Sequence, residues 1–364
     1  MRFSFSARHK IWWWLSLLGL FWLPACTAAP ASPTATPTPQ LTETVTLSPT
    51  RYTHPSAAFT LPVPEGWHVA RETEVGVRFE PDANTPSTVR WIEMVAIYTG
   101  EPFEPDTLRT FGRQFAQDYC PVPGACEVYS TRFDKQTGTE LAIGTRYERN
   151  GQDALHIRLN FRQTGSVVYA LIAASTARGA LRSLQDALWE HAQLAPAQAA
   201  RLPLYGYRRD AVFPLHANHP ETGPYLKVPI PLGWRLNQTS EVREDYYYSY
   251  ALAMSPDGYF GLSVYIGHPS FSADTLRQDA LDTLTSVFHF DPGAFTLAHQ
   301  HRDMEGRWIL NWEATPPGIQ AATLAAIHDN ELVLITGLAK PALWPMAESC
   351  FDKVLQTYRV DEQP

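Results

Sequence analysis

The sequence predicts an α+β protein built as two tandem copies, each an antiparallel sheet packed between helices, behind a signal peptide and a disordered stalk. Three observations carry that prediction. LPVPEGW (Leu61 to Trp67) returns as VPIPLGW (Val228 to Trp234). FEPDTLR (Phe103 to Arg109) returns as FSADTLR (Phe271 to Arg277), identical at five of seven positions. Strand-like runs lie opposite one another at nearly the same offset: WIEMVAIY (from Trp91) against YFGLSVYI (from Tyr259), and SVVYALIAAS (from Ser166) against ELVLITGLAK (from Glu331). Matches in one order at one spacing indicate a duplicated domain, and the period is too long for a solenoid.

Ahead of the copies, residues 1–25 read as a signal peptide. Arg2, Arg8 and Lys10 form a positive n-region, and the apolar run from Ile11 to Leu23 is short for a bilayer span. The run ends in LPAC, which resembles the bacterial lipobox and implies that Cys26 is diacylated, with palmitate as an acyl group, and becomes the mature N-terminus. Pro24 departs from the usual small or aliphatic residue at its place. An ordinary secretory signal or an uncleaved anchor is the alternative, and either one also places the remainder outside the cytoplasm. Residues 26–51 then form a lipidated, Thr/Pro-rich stalk. Its few large apolar groups cannot offset chain entropy, so an extended, disordered tether is expected. Losing Arg2, Arg8 and Lys10 takes the net charge from −8 to −11. Such a surface repels nucleic acid.

Each copy reads alike. Copy one spans residues 52–198, a linker 199–204, and copy two 205–364. Phe59 to Leu61 and Tyr225 to Val228 open each sheet, and the prolines that follow lack donors, so they belong at a sheet edge or exit. Gly66 and Gly233 permit a turn, and the Trp after each folds back over the core. Asp106 and Asp274 are expected as helix N-caps. Leu108, Phe111 and Phe115 give the first helix its apolar face; Leu276, Ala280, Leu284 and Phe288 give the second. Strands follow over Glu140–Tyr147, Leu155–Phe161 and Ser166–Ala173, then Arg307–Trp312, Ala322–Ile327 and Leu332–Gly337. A helix closes each copy near Leu194 and Tyr358. Short strands with one inserted and one terminal helix make an α+β sheet.

Cys120 and Cys126 enclose PVPGA, a tight loop, and outside the cytoplasm a disulfide is the default. So short a loop contributes about 2 kcal/mol. Cys350, on a helical pattern beside Met346, Phe351 and Val354, reads as a buried inert thiol.

An opening strand that runs into PxGW, followed by sheet, helix, sheet and closing helix, resembles the PsbP-like family. That family includes extrinsic photosystem II subunits, and many of its bacterial members are lipoproteins. The resemblance covers residues 52–198 and 205–361. It implies protein-binding or accessory work without shared catalytic residues, and no ion-binding residue is carried over from it.

No G-x-S-x-G, phosphate loop, H-E-x-x-H or C-x-x-C is present. Three clusters remain. His299 and His301 would share one strand face, with Asp303 or His289 as a third zinc ligand; a polar, solvent-facing strand edge explains the same residues. Tyr246, Tyr248 and Tyr250 alternate onto one face that continues through Leu252 and Met254. That is core under a helix or, if open, an aromatic platform for glycan or peptide. His216, His219 and Glu221 lie between the copies, on an exposed connector or lining an interdomain cleft. The function expected is a lipid-anchored, extracytoplasmic binding or scaffolding module with an envelope protein partner and no cofactor. The alternatives are a small-ligand receptor using an interdomain cleft, or a metal-assisted envelope hydrolase.

Overall fold

The run VVYALIAAS forms strand β9 (Val167–Ser175), and every residue of it is buried, as a strand covered on both faces must be. The computed structural model describes residues 46–122, 124–148, 154–215, 223–242, 247–267, 295–314 and 318–363, with Leu276, Gln278, Ala280 and Asp282. The expected signal peptide, Cys26, His216, His219, Glu221, Tyr246, Asp274, His289, Leu284 and Phe288 lie outside the described residues. Among those described, no helix is long and apolar enough to cross a membrane.

The first copy places β9 in a seven-stranded antiparallel sheet of order β3-β4-β5-β9-β8-β7-β6. Its other members are β3 (Trp67–Glu72), β4 (Gly76–Pro81), β5 (Val89–Tyr98), β6 (Glu127–Phe133), β7 (Glu140–Tyr147) and β8 (Leu155–Thr164). A three-stranded sheet joins β1 (Leu47–Thr53), β2 (Phe59–Pro64) and β10 (Gln193–Leu194) in the order β1-β2-β10. The second copy repeats both. Its small sheet runs β11 (Arg208–Pro214), β12 (Tyr225–Pro231), β20 (Arg359–Asp361). Its large sheet is built from β13 (Arg235–Val242), β14 (Tyr247–Met254), β15 (Phe260–Gly267), β16 (Phe295–Arg302), β17 (Trp308–Ala314), β18 (Gln320–His328) and β19 (Glu331–Ala339). That sheet has the order β13-β14-β15-β19-β18-β17-β16, so every strand of the first copy has its counterpart in the second.

Helix α1 (Pro105–Asp118) packs over β7, and α2 (Ala180–His191) packs over β8 and β9. A short α3 (Pro196–Ala199) follows α2, and α4 (Trp344–Thr357) closes the second copy over β18 and β19. Phe111 and Phe115 of α1 meet Phe161 edge-on at 6.1 and 5.4 Å. Leu276 and Ala280 are helical and buried in a separate cluster on the second sheet.

Several expectations shift. Helix α1 starts at Pro105 with Glu104 at its N-cap, because a proline suits the first helical position. Asp106 therefore sits in the first turn, bonded to Arg109, and caps nothing. Residues Leu47 to Arg51, expected in the stalk, belong to β1, whose side chains are mostly exposed. Backbone pairing to β2 holds them, and that needs no apolar side chains. Strands β2 and β12 run on through Pro62, Pro64, Pro229 and Pro231, with Pro64 and Pro231 as their last residues, so the prolines keep the edge and exit places expected of them. They sit where β10 and β20 have already ended, so the missing donor faces an unpaired side. Cys120 and Cys126 are joined, with their Cα atoms 5.8 Å apart. Cys350 is free and buried.

The expected linker is packed. Leu204 is buried and bridges Tyr98, and the Tyr205 N–H donates to the Tyr98 carbonyl at 2.9 Å. Fully buried Tyr205 touches Phe103 of the first copy at 6.4 Å and, edge-on, Trp234 and Phe260 of the second at 5.2 and 5.9 Å. Tyr207 stacks on Phe115 at 5.9 Å and donates its hydroxyl to Glu93 Oε1 at 2.6 Å. Glu93 also accepts Arg78 Nη2 at 2.8 Å and the Tyr119 hydroxyl. At the end of α1, Asp118 accepts Arg209 Nη2 and the Gly233 N–H, each at 2.9 Å. The turn in VPIPLGW thus docks on α1 of the preceding copy, and one hydrophobic core runs through both copies.

Two consequences can be measured. Gly233 has φ +84°, and a Cβ there would lie 2.3 Å from Phe111 Cε2, whereas Gly66 at φ +72° faces only the rotatable Thr85 side chain. Gly66→Ala is expected to cost about 1–2 kcal/mol from backbone strain alone. Gly233→Ala adds overpacking of about 1–3 kcal/mol; equal urea midpoints for the two variants would contradict a tightly docked seam. Burial raises the Asp118 pKa above 3.8, against the opposing pull of Arg209, the Gly233 N–H and Gln114. A raised carboxyl adds stability below its unfolded value and loses it as pH rises through the folded one. The stability of wild type relative to Asp118→Asn should therefore increase as pH falls from that raised value towards 3.8. A pH-independent difference in urea melts would refute the assignment.

Candidate functional site

The structure scatters the residues singled out by sequence. Tyr248 and Tyr250 lie on β14 and are half-buried; Tyr248 stacks on Tyr265 at 6.2 Å, and burial raises the Tyr250 hydroxyl pKa. His299 and His301 are exposed on edge strand β16 with rings 5.7 Å apart. Asp303 turns away from them into the β16–β17 turn. Its Oδ2 accepts Arg307 Nε at 2.6 Å, and its Oδ1 accepts the Glu305 and Arg307 N–H groups at 2.9 Å. Among the described residues, no group of three His, Cys, Asp or Glu side chains is placed to hold a metal. The described part of the junction between the copies is filled by Tyr205, Tyr207 and Trp234; His216 and His219, on which the interdomain cleft was offered as an alternative, lie outside the described residues.

A cleft of about 660 Å³ lies elsewhere, on the α2 side of the first sheet. Side chains alternate along β8. Ile157, Leu159 and Phe161 enter the core, while Arg158, Asn160 and Arg162 face α2. On this sheet helix α2 packs chiefly over β8 and β9, and the cleft opens beside it towards β7 and β6. Arg158, Asn160 and Arg162 form the floor, with Arg132 from β6 and Glu140 from β7. Asp186, Trp189 and Glu190 of α2 form the wall. Arg162 bonds Glu140 at 2.9 Å and lies over the Trp189 ring at 4.8 Å.

The floor is under-satisfied. Arg158 Nε and Asn160 Oδ1 are buried without a hydrogen-bond partner, as are Oε1 of neighbouring Gln185 and Nδ1 of His156. Asn160 is 8% exposed and Gln185 0%. Gln185 spends its amide N–H groups on the Arg158 and Leu171 carbonyls, at 2.7 and 3.0 Å. Burial lowers the Arg158 pKa, with Asp186 acting the other way, and burial followed by the charges of Arg146 and Arg178 lowers that of His156. Buried polar atoms left unmet cost about 1–3 kcal/mol each, so water or a ligand must meet these.

The second copy gives an internal control. Hairpins β8–β9 and β18–β19 both turn through two residues, which aligns their registers. Arg158, Asn160 and Arg162 pair with Ala173, Leu171 and Tyr169. Ala322, Leu324 and Ala326 pair with Gly337, Ile335 and Val333 at the corresponding places. Along the helices, buried Leu181, Leu184, Gln185 and Leu188 match the spacing of Ala347, Cys350, Phe351 and Val354. The second copy therefore carries Ala322, Leu324 and Phe351 where the first carries Arg158, Asn160 and Gln185. Its face is closed, with an apolar void of only about 20 Å³ beneath α4. Strands β6 and β16 bulge at the same point, so Ser130 and Arg132 answer His299 and His301. The histidine pair stands at the rim positions of the copy whose face is closed.

The second copy keeps the same strand pairing with apolar residues at these positions. Asn160→Leu, the residue of the second copy, is expected to stabilise the protein by about 1 kcal/mol by removing a buried unmet atom. A loss of stability in urea denaturation would show that Asn160 serves the fold instead.

No protein-family model and no curated protein matches the chain. Among solved structures, it is similar to the cyanobacterial PsbP protein CyanoP from Synechocystis sp. PCC 6803, at 16% identity and a TM-score of 0.30, covering 37% of this chain and 86% of that one. A protein from Bacteroides thetaiotaomicron VPI-5482 matches at 10% identity and a TM-score of 0.27, over 46% of this chain and 54% of that one. DynU16, a putative protein in the dynemicin biosynthetic locus, matches at 14% identity and a TM-score of 0.16, over 75% and 96%. The tandem α+β architecture rests on the strand order itself.

Proposed function

We propose that the protein is a membrane-tethered, extracytoplasmic binding module of PsbP-like type, in which the first copy binds a small polar ligand and the second is its buttress. The LPAC sequence at Cys26 and the Thr/Pro-rich segment after it support tethering at a distance from a membrane. The PxGW turns and the repeated sheet-helix-sheet-helix order support the PsbP-like reading. One observation carries the ligand-binding part. Equivalent positions on one fold are polar and unmet in the first copy, yet apolar and closed in the second. Buried polar groups that destabilise when unmet are retained where water or a ligand meets them, and their absence from the second copy favours a ligand.

Of the three sequence expectations, scaffold, small-ligand receptor and metal-assisted hydrolase, this favours the receptor, with its site beneath α2 in place of an interdomain cleft. The proposed action is binding, with the cleft's Arg, Asn and carboxylate groups supplying hydrogen bonds and charge.

Native mass spectrometry of tagged protein from cell membranes provides the test. Wild type should carry a small-molecule adduct that Asn160→Leu loses, and Cys26→Ser should leave the membrane fraction. A second protein in near-equal amount, with no adduct, would replace the receptor by the scaffold.

A further inference from the structure

The cleft's charge balance and its floor narrow the ligand, and this step rests on reading the first copy as the binding copy. Three arginines, Arg132, Arg158 and Arg162, line it beside four carboxylates, Asp134, Glu140, Asp186 and Glu190. Each arginine has a carboxylate acting on it. Arg162 bonds Glu140 at 2.9 Å. Asp186 acts on Arg158, against the burial that lowers its pKa. Hydrogen bonds from the Gln136 N–H and the Thr137 hydroxyl hold the Asp134 pKa low, and the charge of Arg132 adds to them. Glu190 is left over, exposed on the last turn of α2, where solvent screens it.

An anion would therefore enter a lining that is already negative by one charge, with no cation to spare. An ammonium would meet Arg158 as a like charge, and it offers donors only. An apolar ligand finds little to lie on. Leu141, Phe161 and Trp189 are buried, and Arg162 and Arg109 lie over the Trp189 and Phe133 rings, at 4.8 Å each. What the floor leaves unmet is one donor and one acceptor. Arg158 Nε and Asn160 Oδ1 are buried without partners, two residues apart on one face of β8. A hydroxyl both accepts and donates, so neighbouring hydroxyls on one ligand satisfy the pair without bringing charge. Further hydroxyls have Arg132 as a donor and Asp186 and Glu190 as acceptors. Water alone would also meet the two floor atoms, but it needs no cleft of about 660 Å³. That volume falls in the ordinary range for small-molecule sites, about 300–1,000 Å³.

We infer that the cleft between α2 and the β6–β8 face binds a neutral saccharide, with one hydroxyl accepting from Arg158 Nε, another donating to Asn160 Oδ1, and others on Arg132 and the α2 carboxylates.

Binding of the detergent-solubilised full chain to an array of neutral, acidic and amino sugars, displayed as monosaccharides and as longer glycans, tests this. Neutral sugars should be bound, and their acidic and amino analogues at least tenfold more weakly. Calorimetric titration with the best-bound neutral sugar should give one site per chain, and an affinity that holds as salt rises, because salt screens only charged ligands. Asn160→Leu should lower that affinity at least tenfold. Ala142→Ile, which places the second copy's residue in the cleft and removes no polar group, should do the same. A free monosaccharide that competes as well as its longer glycan makes the ligand a soluble sugar; one that competes at least tenfold worse makes it a glycan chain. Acidic or amino sugars bound at least as tightly as neutral ones would overturn the inference, as would no binding to any sugar. Neutral-sugar affinity unchanged in both variants would overturn the site. If a membrane-purified adduct is lost in Asn160→Leu while no sugar binds, the ligand class is wrong and the binding copy stands. If neither is seen, both fall.

Discussion

The two copies are held as one body by a buried carboxyl group. Glu93 sits at the middle of β5, 1% exposed, and its oxygens take donors from Arg78, Tyr119 and Tyr207. The first two belong to the first copy, and the third leads into the second. Burial, then the charge of Glu93, pushes the Tyr207 pKa up, which keeps its hydroxyl a donor. A buried carboxyl is tolerable only when its lone pairs are filled, so the network constrains β4, α1 and the connector together. The Asp118 contacts with Arg209 and the Gly233 N–H fix the other side of the same junction. With the core continuous across it, the copies should unfold together, unlike beads on a flexible string.

A seam of this kind explains why duplication is useful. A single sheet with a polar, unmet floor beneath one helix has less apolar burial on that face than its apolar counterpart. The second copy keeps the apolar version, with Ala322, Leu324 and Phe351 under α4, and shares its core with the first. Stability held in one copy lets the other carry groups that folding alone disfavours. The exchange of Asn160 for Leu324 is the clearest case, since the two sit at the same register against Leu171 and Ile335.

Much of the architecture was legible because duplication repeats its own evidence. Apolar strands such as β9 and β19 and the faces of α1 and α2 follow hydrophobic period. Polar edge strands did not: β6 reads EVYSTRF and is mostly exposed, and it is defined by pairing with β7 alone. β1 was hidden for the same reason inside a Thr/Pro-rich segment. The site was harder. Arg158, Asn160 and Arg162 alternate in LHIRLNFRQT, which looks like an ordinary half-exposed strand. Only the fold shows that α2 lies over that face, and only register shows that its counterpart is apolar. The signal was present in the aligned halves, RLNFR against ATLAA, but needed an alignment of the hairpins that the PxGW offset does not supply. The tyrosines and histidines attracted attention by residue type, and residue type says little about what a helix covers.

Geometry also decides which face of the first sheet is free to bind. The α1 side is occupied: Phe111, Phe115 and Tyr119 meet the second copy through Gly233 and Tyr207. That leaves the α2 side. There a helix of 12 residues, about 18 Å long, shields β8 and β9 but does not reach across β7 and β6. In the second copy the same gap is lined by Ile309 and Leu324, and apolar side chains close it. In the first it is lined by Ala142 and Asn160, a small residue beside a polar one, and it stays open. The cleft therefore follows from several differences on a shared frame, Ala142, Arg158, Asn160 and Gln185 standing where the second copy has Ile309, Ala322, Leu324 and Phe351, and the face it occupies is the one the seam leaves uncovered.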